Sequence, residues 1–454
     1  MRNLLDIINS RITGPGLAFA VLFCGIFLII YLKPFVLLHP IISLRALFKK
    51  DTSSARTGMT PLGAMLVALA GTLGVGNIAG VASAIYIGGA GAIFWMWLSA
   101  LAAMPIKYAE IVLAVRHRRH QTDSVSFRGG AHFYISDLGR TNVTKRISAI
   151  AAALFSIFCV AASLTIGSAV QSNAVAVSLG KLTNMSPLLC GILLAIPTFA
   201  AISGGMKRIS ALCVRLIPAM SLVYIAMSLY VIIVNHQLLG EVFSLIFSSA
   251  FDFDAAKGGI FGFILSRALS VGVTRGIVSN EAGCGTAPMA HANANVDYPA
   301  RQGLWGIVEV AIDTLLICTM TALVVLFAQL RGVIPTGDGM RDALDSFGQF
   351  IPHADLPICL SIIVFVFCTL LCWFYYGSES ISYLTQNRCP KYIYPVVFTL
   401  CCVFGALYGS VVWSLADLSV SLMTIVNLAA IMTGLPEIKR ETVRFFKKDK
   451  TSGK

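Results

Sequence analysis

The chain has 454 residues, of which 57% are hydrophobic and 12% are charged, about half the charged share of an ordinary soluble domain. Together with a mean hydropathy of +0.81, this composition excludes a water-soluble globular protein. The net charge of +13 is compatible with a nucleic-acid partner only if the basic residues form a surface patch, so their positions along the chain have to be considered.

Apolar segments long enough to cross a bilayer recur along the chain between short polar joints. About 20 helical residues cross the hydrocarbon core of a membrane, so the pattern predicts an all-α integral membrane protein. We place eleven spans at 14–37, 60–86, 91–115, 149–169, 186–203, 213–234, 258–287, 303–328, 356–384, 393–410 and 415–435.

The basic residues lie mostly on one side of these spans. If the N-terminus is outside, the cytoplasmic loops and the C-terminal tail contain 24 of the 34 Lys and Arg residues. Because Lys and Arg are enriched in cytoplasmic loops, this predicts an N-out, C-in protein of the plasma membrane, which in a bacterium is the inner membrane. The net charge then reflects topology, and we expect the lipid bilayer and no nucleic acid as a partner.

The order of the spans predicts one transmembrane domain over residues 1–454, built from two repeats. Five spans per repeat is an odd number, so the two repeats have opposite topology in the membrane. The predicted parts are an interfacial helix at 1–12, an extra N-terminal helix at 14–37, repeats at 60–234 and 258–435, and a basic cytoplasmic tail at 436–454.

Each repeat opens with a hydrophobic segment that is rich in glycine and polar residues, at 71–77 and 272–285. Paired glycine-interrupted segments at corresponding positions of two repeats indicate the binding site of a secondary transporter. The alternative is that the glycines only permit close helix packing. The polar side chains inside both segments favour the transporter interpretation.

A break in the first of these helices leaves backbone groups unpaired, and ligands can satisfy them. The amides of Val75 and Gly76 would begin the second half-helix and favour a carboxylate, whereas the carbonyls near Ala70 and Leu73 would end the first half and favour a cation. Gly74 and Gly76 carry no side chain, so the space beside the backbone predicts a small substrate. A zwitterionic amino acid with a sodium ion supplies both charges.

The second glycine-rich segment offers groups that receive an ammonium group. These are Gly276, Ser279, Asn280 and Gly283. Arg275 and Glu281 lie in the same segment, and ionisable residues inside a membrane mark a function or a partner. The sequence leaves two roles open for Arg275 and Glu281. They form a structural ion pair or gate, or they contact the ligand directly.

Three other spans carry polar residues at membrane depth. Gln171 and Asn173 lie near the outer end of the fourth span and are too polar to face lipid. Glu309 and Asp313 are four residues apart and share one helix face. We expect these two acids either to line a water path or to pair with one of Arg267, Arg275 and Arg301.

The ninth span combines cation-binding and aromatic side chains. Cys368 and Thr369 are able to face a cation, and Trp373 follows Thr369 by one helical turn. Most aromatic residues of this span are expected to pack inside a helical bundle, whereas Trp373 is a candidate for contact with the substrate.

Several motifs resemble the alanine or glycine:cation symporter family. They are GTLGVGNIAGVASAI (71–85), GAIFWMWLSALAAMPIKYAEIVLAVRHR (91–118), VQSNAVA (170–176), SGGMKRIS (203–210), RGIVSNEAGCGTAPMAHA (275–292), RQGLWGIVEVAIDTLLICTMTALVVL (301–326) and CTLLCWFYYGSE (368–379). The resemblance extends from about residue 56 to 435. It implies eleven helices, a leucine-transporter-like inverted repeat and sodium-coupled uptake of alanine or glycine by a carrier that we expect to be a monomer.

The resemblance also implies which residues contact the transported species. Substrate contacts would come from Thr72, Gly74, Gly76, Asn77, Gln171, Asn173, Gly276, Ser279, Asn280 and Trp373. The sodium site would consist of backbone oxygens of Ala70, Leu73 and Phe365 with the side chains of Cys368 and Thr369. Val75 and Gly283, which the residues themselves suggest, complete the candidate substrate set, and sodium is the coupling ion with no further cofactor.

The chain departs from the family at Val75, Cys284 and Cys368, where Thr, Met and Ser are usual. Sodium is a hard cation that prefers oxygen ligands, so a thiol at position 368 is a poor substitute. A proton-coupled carrier of small amino acids is therefore an alternative.

Other function classes find less support in the sequence. A membrane-embedded enzyme is expected to show HExxH, a G-x-S-x-G elbow or a histidine-rich span. None of these patterns occurs, and the seven histidines are assigned to loops or span ends. A channel would need a repeated carbonyl filter or a ring of charges. We therefore predict a carrier and no enzyme.

Overall fold

The computed structural model describes residues 15–32, 59–120, 127–251 and 267–452. Within these residues, seven helices are long and apolar enough to cross a membrane, one bent helix pair also meets that criterion, and two shorter apolar helices add to them. The all-α membrane architecture is confirmed, whereas the count of eleven spans stays a prediction.

The first part of the chain forms helices on either side of a small hairpin. The helices are α1 (Pro15–Tyr31), α2 (Pro61–Thr72), α3 (Val81–Gly88), α4 (Gly91–Arg116), α5 (Ala131–Asp137), α6 (Asn142–Leu164), α7 (Gln171–Thr183), α8 (Pro187–Ile202) and α9 (Gly205–Val234). Strands β1 (Arg119–His120) and β2 (Phe127–Arg128) pair antiparallel between α4 and α5.

The second part is also helical. Its elements are α10 (Leu239–Ala250), α11 (Arg267–Asn280), α12 (Ala287–His291), α13 (Pro299–Val310), α14 (Thr319–Leu330), α15 (Gly339–Gly348), α16 (Asp355–Leu384), α17 (Arg388–Thr433) and α18 (Leu435–Ser452). Helix α17 covers the last two predicted spans and is kinked at Tyr408, whose backbone is not helical.

Both glycine-rich segments are broken helices. The first bends by 57° between α2 and a wide π-type turn at Gly76–Gly80 that leads into α3. In the second, α11 ends at Asn280 and α12 begins at Ala287. Three residues between them, Glu281, Gly283 and Gly285, have positive φ. Glycine adopts this conformation without steric cost, whereas Glu281 does not.

The fourth predicted span is part of a longer helical stretch. Residues 142–183 form one continuous helical stretch that includes a π-type turn at Thr165–Val170. Polar residues at 171–173 end the apolar window in the sequence, but Gln171 and Ser172 are buried and so face protein. The sequence suggested that Gln171 lies near the outer end of its span, whereas the helical stretch continues for about three more turns, to Thr183.

The segments outside the spans are partly described. The predicted interfacial helix at 1–12 and residues 33–37 of the first predicted span lie outside the described residues. The basic tail forms α18, whose Ile438, Phe445 and Phe446 are buried while Lys439 and Arg440 are exposed. This pattern is typical of an amphipathic helix that packs on the protein.

Candidate substrate and cation site

The two helix breaks lie against each other in the interior of the bundle. A Cβ atom added to Gly76 would lie 3.5 Å from the Cα atom of Ser279. Asn77 Nδ2 donates to Ser279 Oγ at 3.0 Å, and Asn77 Oδ1 accepts the N–H of Gly74 at 3.1 Å. Asn77 therefore ties the unwound part of the first broken helix to the end of α11.

A small cavity adjoins the breaks. Its volume is about 20 Å³, which is room for about one water molecule. It is lined by Gly71, Thr72, Val75, Gly76, Gly80, Ile166, Val170, Gln171, Arg275, Val278, Glu281 and Trp413. An amino acid therefore needs the site to expand.

The free amides of the first break have a side-chain partner. The N–H of Val75 donates to Gln171 Oε1 at 3.3 Å, so an amide oxygen occupies the position predicted for a carboxylate. Gly74 has no space for a side chain, because an added Cβ would lie 2.9 Å from Gln171 Oε1 and 3.0 Å from Thr369 Oγ1. A carboxylate would take the Val75 amide by displacing Gln171.

Four of the five predicted cation ligands converge. Thr369 Oγ1 lies 3.0 Å from the carbonyl oxygen of Ala70, 3.0 Å from that of Leu73 and 2.9 Å from that of Phe365. A hydroxyl has one proton, so at most one of these distances is a strong hydrogen bond at a time. The hydroxyl oxygen and the three carbonyl oxygens next to it are the type of donor that a hard cation prefers.

Cys368, the fifth predicted ligand, is fully buried one residue before Thr369. Two further thiols are buried close by, since Cys372 donates to the carbonyl of Val67 at 3.1 Å and its sulfur lies 3.7 Å from that of Cys213. Sulfur is a soft ligand. The oxygen donors of this site therefore come from the backbone and Thr369.

Asp313 contacts Asn77 and Ser279, the two residues that connect the helix breaks. Its carboxylate accepts hydrogen bonds from Asn77 Nδ2 at 2.7 Å, from Ser279 Oγ at 2.8 Å and from Thr314 Oγ1 at 2.8 Å. Among the described residues it forms no ion pair. A fully buried carboxylate with neutral partners alone is a candidate for binding a proton or a cation.

Glu309 has partners other than the arginines expected from the sequence. Its carboxylate lies 3.1 Å from Lys107 Nζ and 2.9 Å from His291 Nε2, and all three side chains are buried. His291 is 2.7 Å from Gln302. The expected pairing with Arg267, Arg275 or Arg301 is wrong, because a sequence does not show that Lys107 on α4 faces Glu309 on α13.

Arg275 and Glu281 both line the small cavity but are not paired with each other. The guanidinium of Arg275 lies 5.6 Å from the ring centre of Trp413, and Thr286 donates to Glu281 at 2.7 Å. Trp413, Ile166 and Val170 were missed in the sequence. Only Trp413 carries a signal, as a tryptophan just before the last predicted span.

Two predicted substrate residues lie away from the small cavity. Asn173 lines a separate cavity of about 750 Å³ together with Lys181, Arg341 and Asp345. Trp373 is buried against Gly167. The longer course of the helical stretch at 142–183 explains the position of Asn173, which lies half a turn past Gln171 and on a different face.

Three other predicted residues contact protein. A Cβ atom on Gly276 would lie 2.1 Å from Ser99 Oγ of α4, and one on Gly283 would lie 3.2 Å from Leu428. Asn280 donates to Thr314 Oγ1 at 3.2 Å and accepts the N–H of Ala282 at 3.0 Å. In this structure they hold the second break in place.

The chain is similar to known transporters over its whole length. A model of the sodium:alanine symporter family matches residues 1–454. The sodium/alanine symporter AgcS of Methanococcus maripaludis is 35% identical over 448 residues, which are 98% of this chain and 97% of that relative. The probable sodium/glutamine symporter GlnT of Bacillus subtilis is 33% identical over 417 residues, 90% of this chain and 83% of the relative.

A solved structure shares the fold. MhsT in complex with L-phenylalanine superposes with a TM-score of 0.55 at 16% identity, and the match covers 84% of this chain and 89% of MhsT. The leucine-transporter-like fold expected from the sequence is thereby confirmed, and the protein is a transporter and not an enzyme. The chain belongs to the sodium:alanine symporter family.

Proposed function

We propose that the protein couples the inward movement of sodium to the uptake of a small neutral amino acid, alanine or glycine or both. Transport proceeds by alternating access, in which one group of helices moves against another around a central site. Cation-coupled amino-acid symport is the activity of the family; the particular cation and amino acid are the proposal.

The observation that carries the proposal is the cluster of four oxygens formed by Thr369 Oγ1 and three carbonyls. Ala70 and Leu73, two of the carbonyl donors, end α2 immediately before the amide of Val75. A cation at these oxygens and a carboxylate at this amide would bind on the same unwound turn. Because each lowers the free energy of ordering that turn, their binding is coupled.

The size of the cavity supports a small substrate. Gly74 is in contact with Gln171 and Thr369, and the free volume is about 20 Å³. The methyl group of alanine fits after a modest expansion, whereas a branched side chain displaces backbone. The names of the relatives include both alanine and glutamine, so size discrimination has to be tested.

Arg275 and Trp413 are the proposed outer gate. They come from α11 and α17, and their stacking closes one wall of the cavity. A cation over an aromatic face contributes about 0.5–2 kcal/mol, which is small enough to open and close during transport.

The test is uptake of labelled alanine into proteoliposomes that contain the purified protein. We expect accumulation with an inward sodium gradient at equal pH, and none with potassium in place of sodium. Excess glycine should compete with alanine, and excess leucine or glutamine should not. Equal competition by leucine would contradict the small site, and accumulation that ignores sodium would contradict the coupling ion.

Proton coupling is the second candidate, and Asp313 is the observation that favours it. This buried carboxylate has hydrogen-bond donors but no cationic partner among the described residues. In this alternative, an inward pH gradient without sodium drives alanine accumulation, and Asp313→Asn abolishes that response. The same proteoliposomes therefore discriminate between the two coupling ions.

A further inference from the structure

The second helix break is held by side chains from three other helices. Glu110 Oε2 on α4 accepts the N–H of Gly285 at 3.2 Å, and Asn427 Nδ2 on α17 donates to the carbonyl of Gly283 at 2.8 Å. Asn427 Nδ2 also donates to Glu110 Oε2 at 3.0 Å, and the hydroxyl of Tyr134 on α5 donates to Asn427 Oδ1. Glu110, Asn427 and Tyr134, here called the clasp, are all fully buried.

The clasp lies on the side of the break that is predicted to face the cytoplasm. Asn427 precedes the end of α17 by less than two turns, and Glu110 has a similar position relative to the end of α4. Tyr134 belongs to a short helix in the predicted cytoplasmic segment 116–148. The small cavity adjoins the α11 end of the break, where Arg275, Val278 and Glu281 line it.

The clasp joins two groups of helices. Helix α4 packs mainly against α11 and α13, whereas α17 packs mainly against α6, α7, α8 and the π-type turn between α6 and α7. Asn427 is therefore a link from the second group to the unwound backbone that belongs with the first. If the groups separate on this side, the bond from Asn427 to Gly283 has to break.

Unwound backbone in a membrane interior is stable only where protein, water or ligand satisfies its polar groups. The clasp supplies a donor to the carbonyl of Gly283 and an acceptor to the amide of Gly285. Without these partners, the two groups would need water, which enters from the cytoplasm. The clasp thus favours a conformation in which the cytoplasmic side of the break is closed to water.

We propose that Glu110, Asn427 and Tyr134 are positioning residues that keep the unwound segment 281–286 closed toward the cytoplasm, and that release of this clasp opens the inner side during transport. This inference rests on the proposed function for its role in uptake. It assigns the three residues to the closing of the pathway and not to contact with substrate or cation.

A natural reporter lies inside the clasped segment. Cys284 is fully buried, and its sulfur is 3.4 Å from Thr424 Oγ1. Cys159 and Cys402 are equally buried but lie on α6 and α17, outside the segment. Opening of the clasp exposes Cys284 alone, whereas general loosening of the protein exposes all three.

The experiment measures maleimide labelling of each cysteine by mass spectrometry, on the full-length protein in inside-out membrane vesicles. The test variants are Tyr134→Phe and Asn427→Ala. The matched control is Tyr394→Phe, which removes a buried hydroxyl that lies 2.9 Å from Ser163 between α6 and α17. Loss of a buried hydrogen bond shifts a closed-to-open equilibrium by about tenfold, so we expect labelling of Cys284 to accelerate about tenfold in the test variants alone.

Two results would overturn the clasp. One is Cys284 labelling in both test variants at the rate of the unmodified protein. The other is an equal acceleration at Cys159 and Cys402, since the residues would then act on overall stability.

Alanine uptake by the same variants separates the clasp from the proposed function. We expect Tyr134→Phe to change the maximal rate severalfold and to leave the half-saturating alanine concentration within about twofold of its original value. A changed half-saturating concentration with an unchanged maximal rate would contradict a positioning role. If the unmodified protein takes up no alanine while labelling follows the clasp, the proposed function fails and the clasp stands.

Discussion

The two broken helices have their unpaired backbone groups satisfied in different ways. In the first, the unwound turn contacts groups that a ligand is able to replace, since Gln171 Oε1 accepts from the amide of Val75 and Thr369 Oγ1 lies against three carbonyls. In the second, Glu110 and Asn427 occupy the free backbone groups. Both helices lose backbone hydrogen bonds at the break. Only in the first are the free backbone groups in contact with side chains that a ligand is able to displace.

This difference assigns different tasks to residues that look alike in the sequence. Gly74 in the first break has no room for a side chain because Gln171 and Thr369 lie against it, whereas Gly276 beside the second break has no room because α4 packs against it. In the proposed function, the first break is the binding element and the second is the element that moves and seals. Substitutions at Thr369, Gly74 and Gly276 test these different roles of the two breaks.

Thr369→Val should have the largest effect. It keeps the shape of the side chain but removes one of the four oxygens around the cation position. Since changes around a bound metal ion cost 10–100-fold even without loss of a ligand, we expect the sodium concentration for half-maximal alanine uptake to rise by about 100-fold. The matched control is Thr399→Val, because within the described part of the chain Thr399 bonds only to the carbonyl of Pro395 in its own helix at 2.7 Å. An equal rise of the half-maximal sodium concentration in both variants would show that Thr369 does not bind the cation.

Gly74→Ala should weaken substrate binding. The new methyl group would approach Gln171 and Thr369 to about 3 Å, and overpacking costs about 1–3 kcal/mol, so the half-saturating alanine concentration should rise about tenfold or more. Gly240→Ala is the control, because nothing lies within 4 Å of its added Cβ. Unchanged alanine kinetics in Gly74→Ala would show that the first break is not the binding element.

Gly276→Ala should affect folding more than binding. The added Cβ would lie 2.1 Å from Ser99 Oγ, so we expect a lower thermal unfolding temperature in detergent. The second substitution Ser99→Ala removes that oxygen and should restore most of the loss, with alanine affinity within about twofold of the original. A double variant that is stable but no longer binds alanine would make Gly276 a substrate contact after all.

The smallest expected effect is on pH dependence at the C-terminal end of α4. His117 Nδ1 lies 3.2 Å from Asp137 and its Nε2 lies 2.9 Å from Glu437 on α18. Burial lowers the pKa of His117, but the hydrogen bonds to Asp137 and Glu437 outweigh burial and raise this pKa above its usual value.

A raised histidine pKa contributes stability that is fully present below the usual pKa and is lost as the pH rises through the folded-state pKa. We expect the unfolding free energy to fall by about 1 kcal/mol or less from about pH 6 to about pH 8, because ion pairs that are partly exposed to solvent contribute little. His117→Gln should flatten this dependence in thermal unfolding, and an unchanged slope would show that another group is responsible.

The sequence was informative where the signal is local. Both breaks lie in the glycine-rich segments, and the carbonyls of Ala70 and Leu73 lie beside Thr369 as the family resemblance implied. These features depend on glycine, which lacks a Cβ, and on the order of residues along one turn. The roles of the individual site residues stay predictions.

The errors concern contacts between helices. Glu309 pairs with Lys107 because of the way α4 and α13 pack, and Asn173 lies apart from Gln171 because the helical stretch continues through a π-type turn. The position of Asn427 beside Gly283 depends on the path of α17. A single sequence does not contain these relative positions.

The most direct test of the account is the linkage between sodium and alanine on the purified protein. If both bind at the first break, saturating sodium should strengthen alanine binding, and saturating alanine should strengthen sodium binding by the same factor. Titration calorimetry measures both affinities, and Thr369→Val should abolish the mutual effect while alanine binding without sodium persists. Alanine affinity that is identical with and without sodium would contradict a shared site.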